Sequence, residues 1–103
     1  MTIKQNESTV VVYILISHTL DKFYIGQTSD LPLRLKEHSG KYYNKAFTKK
    51  GTDWELFLSF QCKNRTQARK IESHIKKMKS KKYISNLKLY PELIAKLLLK
   101  YSS

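Results

Sequence analysis

Three apolar runs, at residues 10–16, 23–26 and 54–60, have the pattern of β-strands. The first run, VVVYILI, is apolar on both faces and rich in β-branched residues, which predicts the central strand of a sheet. A short connection at residues 17–22 separates it from the second run, so we expect these two strands to pair antiparallel as a hairpin.

A first helix is predicted to begin just after the second strand and to run to about His38. Ser29 or Asp30 supplies its N-cap, Pro32 lies in its first turn, and Gly40 ends it. The following residues, 41–51, are predicted to form a basic loop that also carries aromatic side chains.

A second helix is predicted to follow Asn64, a favourable N-cap residue. Its apolar stripe has spacings of three and four residues and consists of Ala68, Ile71, Ile75 and Met78. Residues 83–86 are predicted to form a helical turn, and residues 92–100 a further helix, with Pro91 immediately before it.

The element order is therefore ββαβα with an extra C-terminal helix. This order predicts an α+β fold in which helices flank a small three-stranded, mostly antiparallel sheet. A chain of 103 residues suits one domain, so we expect residues 1–9 to be a flexible N-terminus and residues 10–103 a single domain. The longest apolar run is too short to span a bilayer, and the polar start and single cysteine, Cys62, favour a soluble cytoplasmic protein.

The charge of the chain indicates what kind of partner the protein binds. Twenty Lys and Arg residues against eight Asp and Glu residues give a net charge of +12, which favours a polyanion and most often a nucleic acid. Two lysine clusters are the predicted contacts with its phosphates, and affinity should fall steeply with salt. They consist of Lys41, Lys45, Lys49 and Lys50, and of Lys76, Lys77, Lys79, Lys81 and Lys82. The alternative interpretation of the second lysine cluster is a helix face that is simply exposed to solvent.

Five residues stand out as candidates for chemistry. Arg34 and His38 are four residues apart and share one face of the first helix. Tyr13 and Tyr24 come from the two strands of the hairpin, and Glu72 is the one acid in the basic stretch from residue 63 to residue 82. Taken singly, each has an ordinary explanation as a solvated charge, a half-buried sheet residue or a partner in a helical ion pair.

Taken in order, these residues resemble the GIY-YIG nuclease superfamily over residues 10–86. The resemblance consists of Val11-Val12-Tyr13, then Tyr24-Ile25-Gly26, then Arg34, His38 and Glu72. Residues 47–54 are similar to small stand-alone bacterial members, and the same module occurs as the N-terminal nuclease domain of an excinuclease and in phage homing endonucleases. Val11 and Val12 replace the Gly and Ile of the first motif, a change that removes no reactive group. Asn86 is a loose match to a late asparagine of the family.

The resemblance implies a metal-dependent endonuclease that hydrolyses phosphodiester bonds in DNA, in repair or recombination. Because the sequence shows no set of side chains that would read base edges, we expect it to select DNA by structure and not by sequence. Glu72 would hold one divalent metal ion, Mg²⁺ or Mn²⁺, and Arg34 the scissile phosphate. Tyr13 would be the general base, which requires a lowered pKa because an ordinary tyrosine has a pKa of about 10. We expect a metal-bound water, Arg34 or Tyr24 to lower it.

The roles of the remaining motif residues are less specific. His38 would relay the proton or bind the phosphate, and Gly26 would allow a backbone or a phosphate to come close. The sequence leaves RNA open as a substrate and a protein partner open as a source of targeting. The alternative function is a non-catalytic, basic nucleic-acid-binding module of the same fold. A third interpretation, an RNA-associated or ribosome-associated protein, depends on charge alone.

Overall fold

The computed structural model of the protein describes residues 9–38 and 53–102, apart from the side chains of residues 37 and 38. Several predictions therefore lie outside the described residues. They are the flexible start of the chain, the end of the first helix at Gly40, and the first lysine cluster, Lys41, Lys45, Lys49 and Lys50.

The described strands form one antiparallel sheet. Strand β1 (Val10–Ser17) lies between β2 (Lys22–Thr28) and β3 (Glu55–Cys62), and it pairs antiparallel with both. The prediction that the doubly apolar first run is the central strand is confirmed. In this register Tyr13 lies opposite Gly26 of β2, and the pairing with β3 is irregular between Ile14 and Leu15.

Four helices complete the described structure: α1 (Leu31–His38), α2 (Arg65–Met78), α3 (Lys81–Leu89) and α4 (Pro91–Lys100). The α+β prediction is therefore confirmed, including the C-terminal helix. Of the two N-cap candidates for α1, the Asp30 carboxylate accepts a hydrogen bond from the backbone N–H of Leu33 (3.1 Å). Asn64 caps α2 in the same way, by accepting from the N–H of Gln67 (2.8 Å).

Helix α3 is longer than the sequence predicted. Instead of a turn at residues 83–86, it spans nine residues. The Ser80 hydroxyl caps its first turn by accepting from the N–H of Tyr83 (3.0 Å). Ile84 and Leu87 are buried against the core, and this burial stabilises the additional turns.

The core lies between the sheet and helix α2, with α3 and α4 closing it. Val12 and Ile14 of β1 are fully buried, as are Ile71 and Ile75 of α2. Ala68 is buried as well, so three of the four residues of the predicted stripe are buried. The fourth residue of the stripe, Met78, is exposed, because it is the last residue of α2. In the described part of the chain, no helix is long and apolar enough to cross a membrane.

Candidate active site

A pocket of about 390 Å³ lies beside strand β2, at one edge of the described sheet. Its walls come from β1, β2, α1 and α2. It brings together five of the residues predicted from the sequence and three others. The predicted residues are Tyr13, Tyr24, Gly26, Arg34 and Glu72, and the others are Gln27, Arg65 and Arg69.

Tyr13 reaches this pocket by crossing Gly26. The two residues are paired in the β1–β2 register, and Tyr13 is only 2% exposed. A Cβ atom on residue 26 would lie 2.6 Å from the Tyr13 hydroxyl and 2.7 Å from Cζ of its ring. The glycine is therefore required by the phenol ring of Tyr13, whereas the sequence had suggested approach by a backbone or a phosphate.

The two tyrosines of the hairpin form one aromatic group. Their rings are stacked, with centroids 6.2 Å apart and planes inclined by 19°. Tyr24 also contacts Trp54 edge-on, at 6.5 Å between centroids. This packing fixes the orientation of both rings and keeps the Tyr13 hydroxyl in the pocket.

The surroundings of Tyr13 raise the pKa of its hydroxyl well above the ordinary value. Burial is the largest cause, and proximity and a hydrogen bond to Tyr24 act in the same direction. Arg34 opposes them with its positive charge, while the charge of Glu72 raises the pKa slightly further. The expectation that Tyr24 lowers this pKa is therefore wrong. By itself, the protein holds Tyr13 as a neutral phenol at neutral pH.

Glu72 is held in place from both sides. One carboxylate oxygen accepts a hydrogen bond from the Gln27 amide nitrogen (3.0 Å), and the other pairs with the ammonium group of Lys76 (2.7 Å). The Gln27 carbonyl in turn accepts from the guanidinium of Arg65 (3.1 Å). The side chain of Glu72 is 16% exposed, so the carboxylate is largely shielded but reachable from the pocket. Glu72 therefore both forms the predicted ion pair within its helix, with Lys76, and lines the pocket.

Two arginines of α2 were not recognised as site residues from the sequence. Arg65 and Arg69 precede Glu72 by seven and three residues, and this helical spacing places all three on one face. Among the residues that the structure describes, the pocket contains three guanidinium groups, with Arg34 from α1, and one carboxylate. Guanidinium groups bind the oxygens of phosphates in pairs, so this pocket suits an anion with several oxygens.

The remaining predicted residues lie around this pocket or apart from it. His38 is the last residue of α1, one helical turn after Arg34, and its side chain is outside the description. Asn86 lies in α3 and does not line the pocket. Of the second lysine cluster, Lys76, Lys79 and Lys81 line a neighbouring groove, whereas Lys77 and Lys82 are exposed on α2 and α3.

The donor set of the pocket is compatible with one magnesium ion. Within the described ranges, no group of three or more His, Cys, Asp or Glu side chains could enclose a metal. Mg²⁺ nevertheless commonly uses one or two carboxylates and completes its shell with waters and substrate phosphates. Glu72 supplies such a carboxylate beside the arginines that suit a phosphate. Its ion pair with Lys76 would have to open for the ion to bind.

The arginines of this pocket suit the binding of a phosphate group beside the carboxylate of Glu72. Comparison with protein families identifies the class of protein. The family model described as the GIY-YIG catalytic domain matches residues 9–84 of the 103 residues. The chain therefore belongs to the GIY-YIG superfamily and has a nuclease-type fold, which confirms the resemblance seen in the sequence. Searches of curated proteins and of solved structures found no match.

Proposed function

We propose that this protein is an endonuclease that hydrolyses phosphodiester bonds in DNA with one divalent metal ion, Mg²⁺ or Mn²⁺. The observation that carries the proposal is the convergence of Tyr13, Tyr24, Arg34 and Glu72 on one pocket. These residues come from four different elements and are up to 59 positions apart (72 − 13). Membership of a nuclease superfamily supports the same function.

Arginine side chains bind the substrate phosphates in this proposal. Arg34 binds the scissile phosphate, because its guanidinium group stays charged and can donate two parallel hydrogen bonds. Arg65 and Arg69 line the same pocket and bind an adjacent phosphate of the same strand. Gln27 is a positioning residue, since it donates to Glu72 and accepts from Arg65.

Glu72 would hold the metal ion, and a bound ion would supply positive charge that stabilises the charge developing on the phosphate. In its phenolate form, Tyr13 accepts the proton of the attacking water and directs that water at the phosphorus atom. His38, one turn after Arg34, relays this proton or donates a hydrogen bond to the phosphate. As the water oxygen bonds to phosphorus, the bond from phosphorus to the 3′ oxygen breaks, and the departing 3′ oxygen takes a proton from solvent water. Because the pKa of Tyr13 is raised, only a small fraction of the protein carries the phenolate at neutral pH.

We further propose that the enzyme selects DNA by its structure instead of its sequence, and acts in DNA repair or recombination in the cytoplasm. Lys77 and Lys82 are exposed on α2 and α3, where they contact phosphates without reading bases. The predicted lysine cluster at residues 41–50 would extend this contact. RNA remains a second candidate substrate, and a protein partner would supply any further targeting.

A cleavage panel tests the function. Labelled duplex, single-stranded, nicked, flapped and branched DNA and one RNA are incubated with Mg²⁺, Mn²⁺ or EDTA. We expect cutting that requires the metal and is lost in Glu72→Gln, which keeps the size of the side chain. The matched control is Glu92→Gln, which makes the same change on the exposed first turn of α4 and should cut normally. Equal cutting by Glu72→Gln and the wild type would contradict the proposal.

One observation favours the alternative of a non-catalytic nucleic-acid-binding module. Lys76 neutralises the carboxylate that would hold the metal, at 2.7 Å. This alternative predicts tight, salt-sensitive binding of DNA without cutting of any substrate in the panel, and equal binding by the wild type and Glu72→Gln.

A further inference from the structure

A second and larger groove adjoins the candidate active site. It has a volume of about 610 Å³ and lies between the edge strand β2 and helices α2 and α3. Tyr24 lines both the groove and the active-site pocket, and Lys76 links them by lining the groove while pairing with Glu72. The groove therefore lies directly beside the pocket that is proposed to bind the scissile phosphate.

The floor and the rim of the groove differ in chemistry. Apolar side chains from both sides contribute to the floor: Phe23 and Ile25 of β2, and Ile75 and Ile84 of α2 and α3. Four lysines stand at the rim, namely Lys22, Lys76, Lys79 and Lys81. Lys81 pairs with Asp21 (2.8 Å) and Lys76 with Glu72. Lys22 and Lys79 are also exposed, so they are accessible to a ligand at the groove.

An apolar floor under a cationic rim matches a ligand with a flat apolar part and an anionic chain. Volumes of about 300–1,000 Å³ are usual for sites that bury small organic groups, and this groove falls within that range. An unpaired nucleotide has both properties, since its base is planar and poorly solvated at its faces and its phosphate is anionic. A paired base cannot enter, because its faces are covered by its neighbours in the duplex.

We propose that this groove binds an unpaired nucleotide next to the scissile phosphate, so that the enzyme selects DNA with a single-stranded segment at the cleavage site. The base lies on the apolar floor, and Lys22 and Lys79 bind the phosphates on either side of it. This inference rests on the proposed function, because the position of the scissile phosphate is that of the arginine-lined pocket.

Binding without cleavage tests the groove separately from catalysis. Fluorescence anisotropy in EDTA compares a dye-labelled nicked duplex that carries a short single-stranded flap with the same duplex without the flap, at one salt concentration. We expect the wild type to bind the flapped DNA about tenfold more tightly, in the range of one buried base. The Lys22→Gln/Lys79→Gln variant should lose this preference. The control Lys70→Gln/Lys96→Gln, with the same loss of charge outside the groove, should keep it.

A flap whose first unpaired nucleotide is abasic tests the apolar floor. The wild type should bind it several-fold more weakly than the normal flap, but more tightly than the duplex without a flap, because Lys22 and Lys79 still bind its phosphates. The groove variant should distinguish the abasic flap from the normal one less than the wild type does. The proposal is overturned if the wild type shows no preference for the flap, or if the preference survives Lys22→Gln/Lys79→Gln. It is also overturned if the groove binds an acidic amphipathic peptide and does not bind the flap, that is, if Lys22→Gln/Lys79→Gln weakens binding of a labelled peptide of this kind and leaves binding of the flapped DNA unchanged. None of these outcomes depends on metal-dependent cutting, so a failure here is distinct from a failure of the proposed nuclease.

Discussion

Replacing Gly26 by alanine tests how the active site is built. The added Cβ atom would lie 2.6 Å from the Tyr13 hydroxyl, 2.7 Å from Cζ and 3.1 Å from Cε2. Real Cβ contacts are not this short, so either the phenol ring or strand β2 must move. The ring has little freedom because it is buried and stacked on Tyr24. The substitution therefore overpacks the site and displaces the hydroxyl from the pocket.

The cost can be bounded from general values. Overpacking a buried site costs about 1–3 kcal/mol. Alanine is favoured over glycine in a strand by about 0.5–1 kcal/mol, which offsets part of that cost. We expect Gly26→Ala to lower the free energy of unfolding by about 1–2 kcal/mol, measured by denaturant titration. Cleavage should fall by about 100-fold or more, because a displacement near 1 Å costs that much in an oriented reaction.

A double-mutant cycle assigns the effect to the ring of Tyr13. In a Tyr13→Leu background the shorter side chain leaves room for the Cβ atom, so Gly26→Ala should cost little stability. The coupling between the two positions should be about 1 kcal/mol or more, as is usual for residues in direct contact. Equal destabilisation in both backgrounds, or a Gly26→Ala protein with normal stability and cleavage, would refute the reasoning.

Three further predictions concern titration and the metal. Because the pKa of Tyr13 is raised, cleavage should increase with pH from 6 to 9, about tenfold per unit while the phenolate is rare; a flat profile would exclude Tyr13 as the base. Burial and nearby lysines lower the pKa of His74 below 6.5 in the folded protein. The imidazole therefore binds a proton more readily in the unfolded chain than in the folded protein. Its contribution to stability is complete above pH 6.5 and declines below it; denaturant titrations of the wild type should show this decline, and His74→Gln should reduce it. Lys76→Gln removes the cation that competes for Glu72, so the Mn²⁺ concentration for half-occupancy, followed by electron paramagnetic resonance, should fall about two- to fivefold. Unchanged Mn²⁺ binding would argue against Glu72 as the ligand.

The sequence predicted the elements whose hydrophobic pattern is local. Strand β1 was identified as the central strand because both of its faces are apolar, and α2 because its stripe has helical spacing. Helix α3 was predicted too short, since its extension depends on the Ser80 cap together with burial of Ile84 and Leu87 by other elements. Such tertiary burial is not encoded in local periodicity.

In the candidate site, the sequence predicted the residues that belong to the family motif, but not the contacts around them. The motif residues Tyr13, Tyr24, Arg34 and Glu72 line one pocket, but the hydrogen bond from Arg65 to Gln27 joins residues 38 positions apart and has no sequence signature. The raised pKa of Tyr13 could not be foreseen either, because it follows mainly from burial in the folded sheet.

The measurement that tests the central claim most directly is single-turnover cleavage of the preferred DNA with Mg²⁺, by the wild type, Tyr13→Phe, Glu72→Gln and the control Glu92→Gln. Binding of the same DNA is measured in EDTA. We predict that Tyr13→Phe and Glu72→Gln bind normally and cut at least about 100-fold more slowly, the loss typical of a missing proton-transfer group, while the control cuts at the wild-type rate. Wild-type cutting rates in both Tyr13→Phe and Glu72→Gln would contradict the assignment of this pocket as the active site.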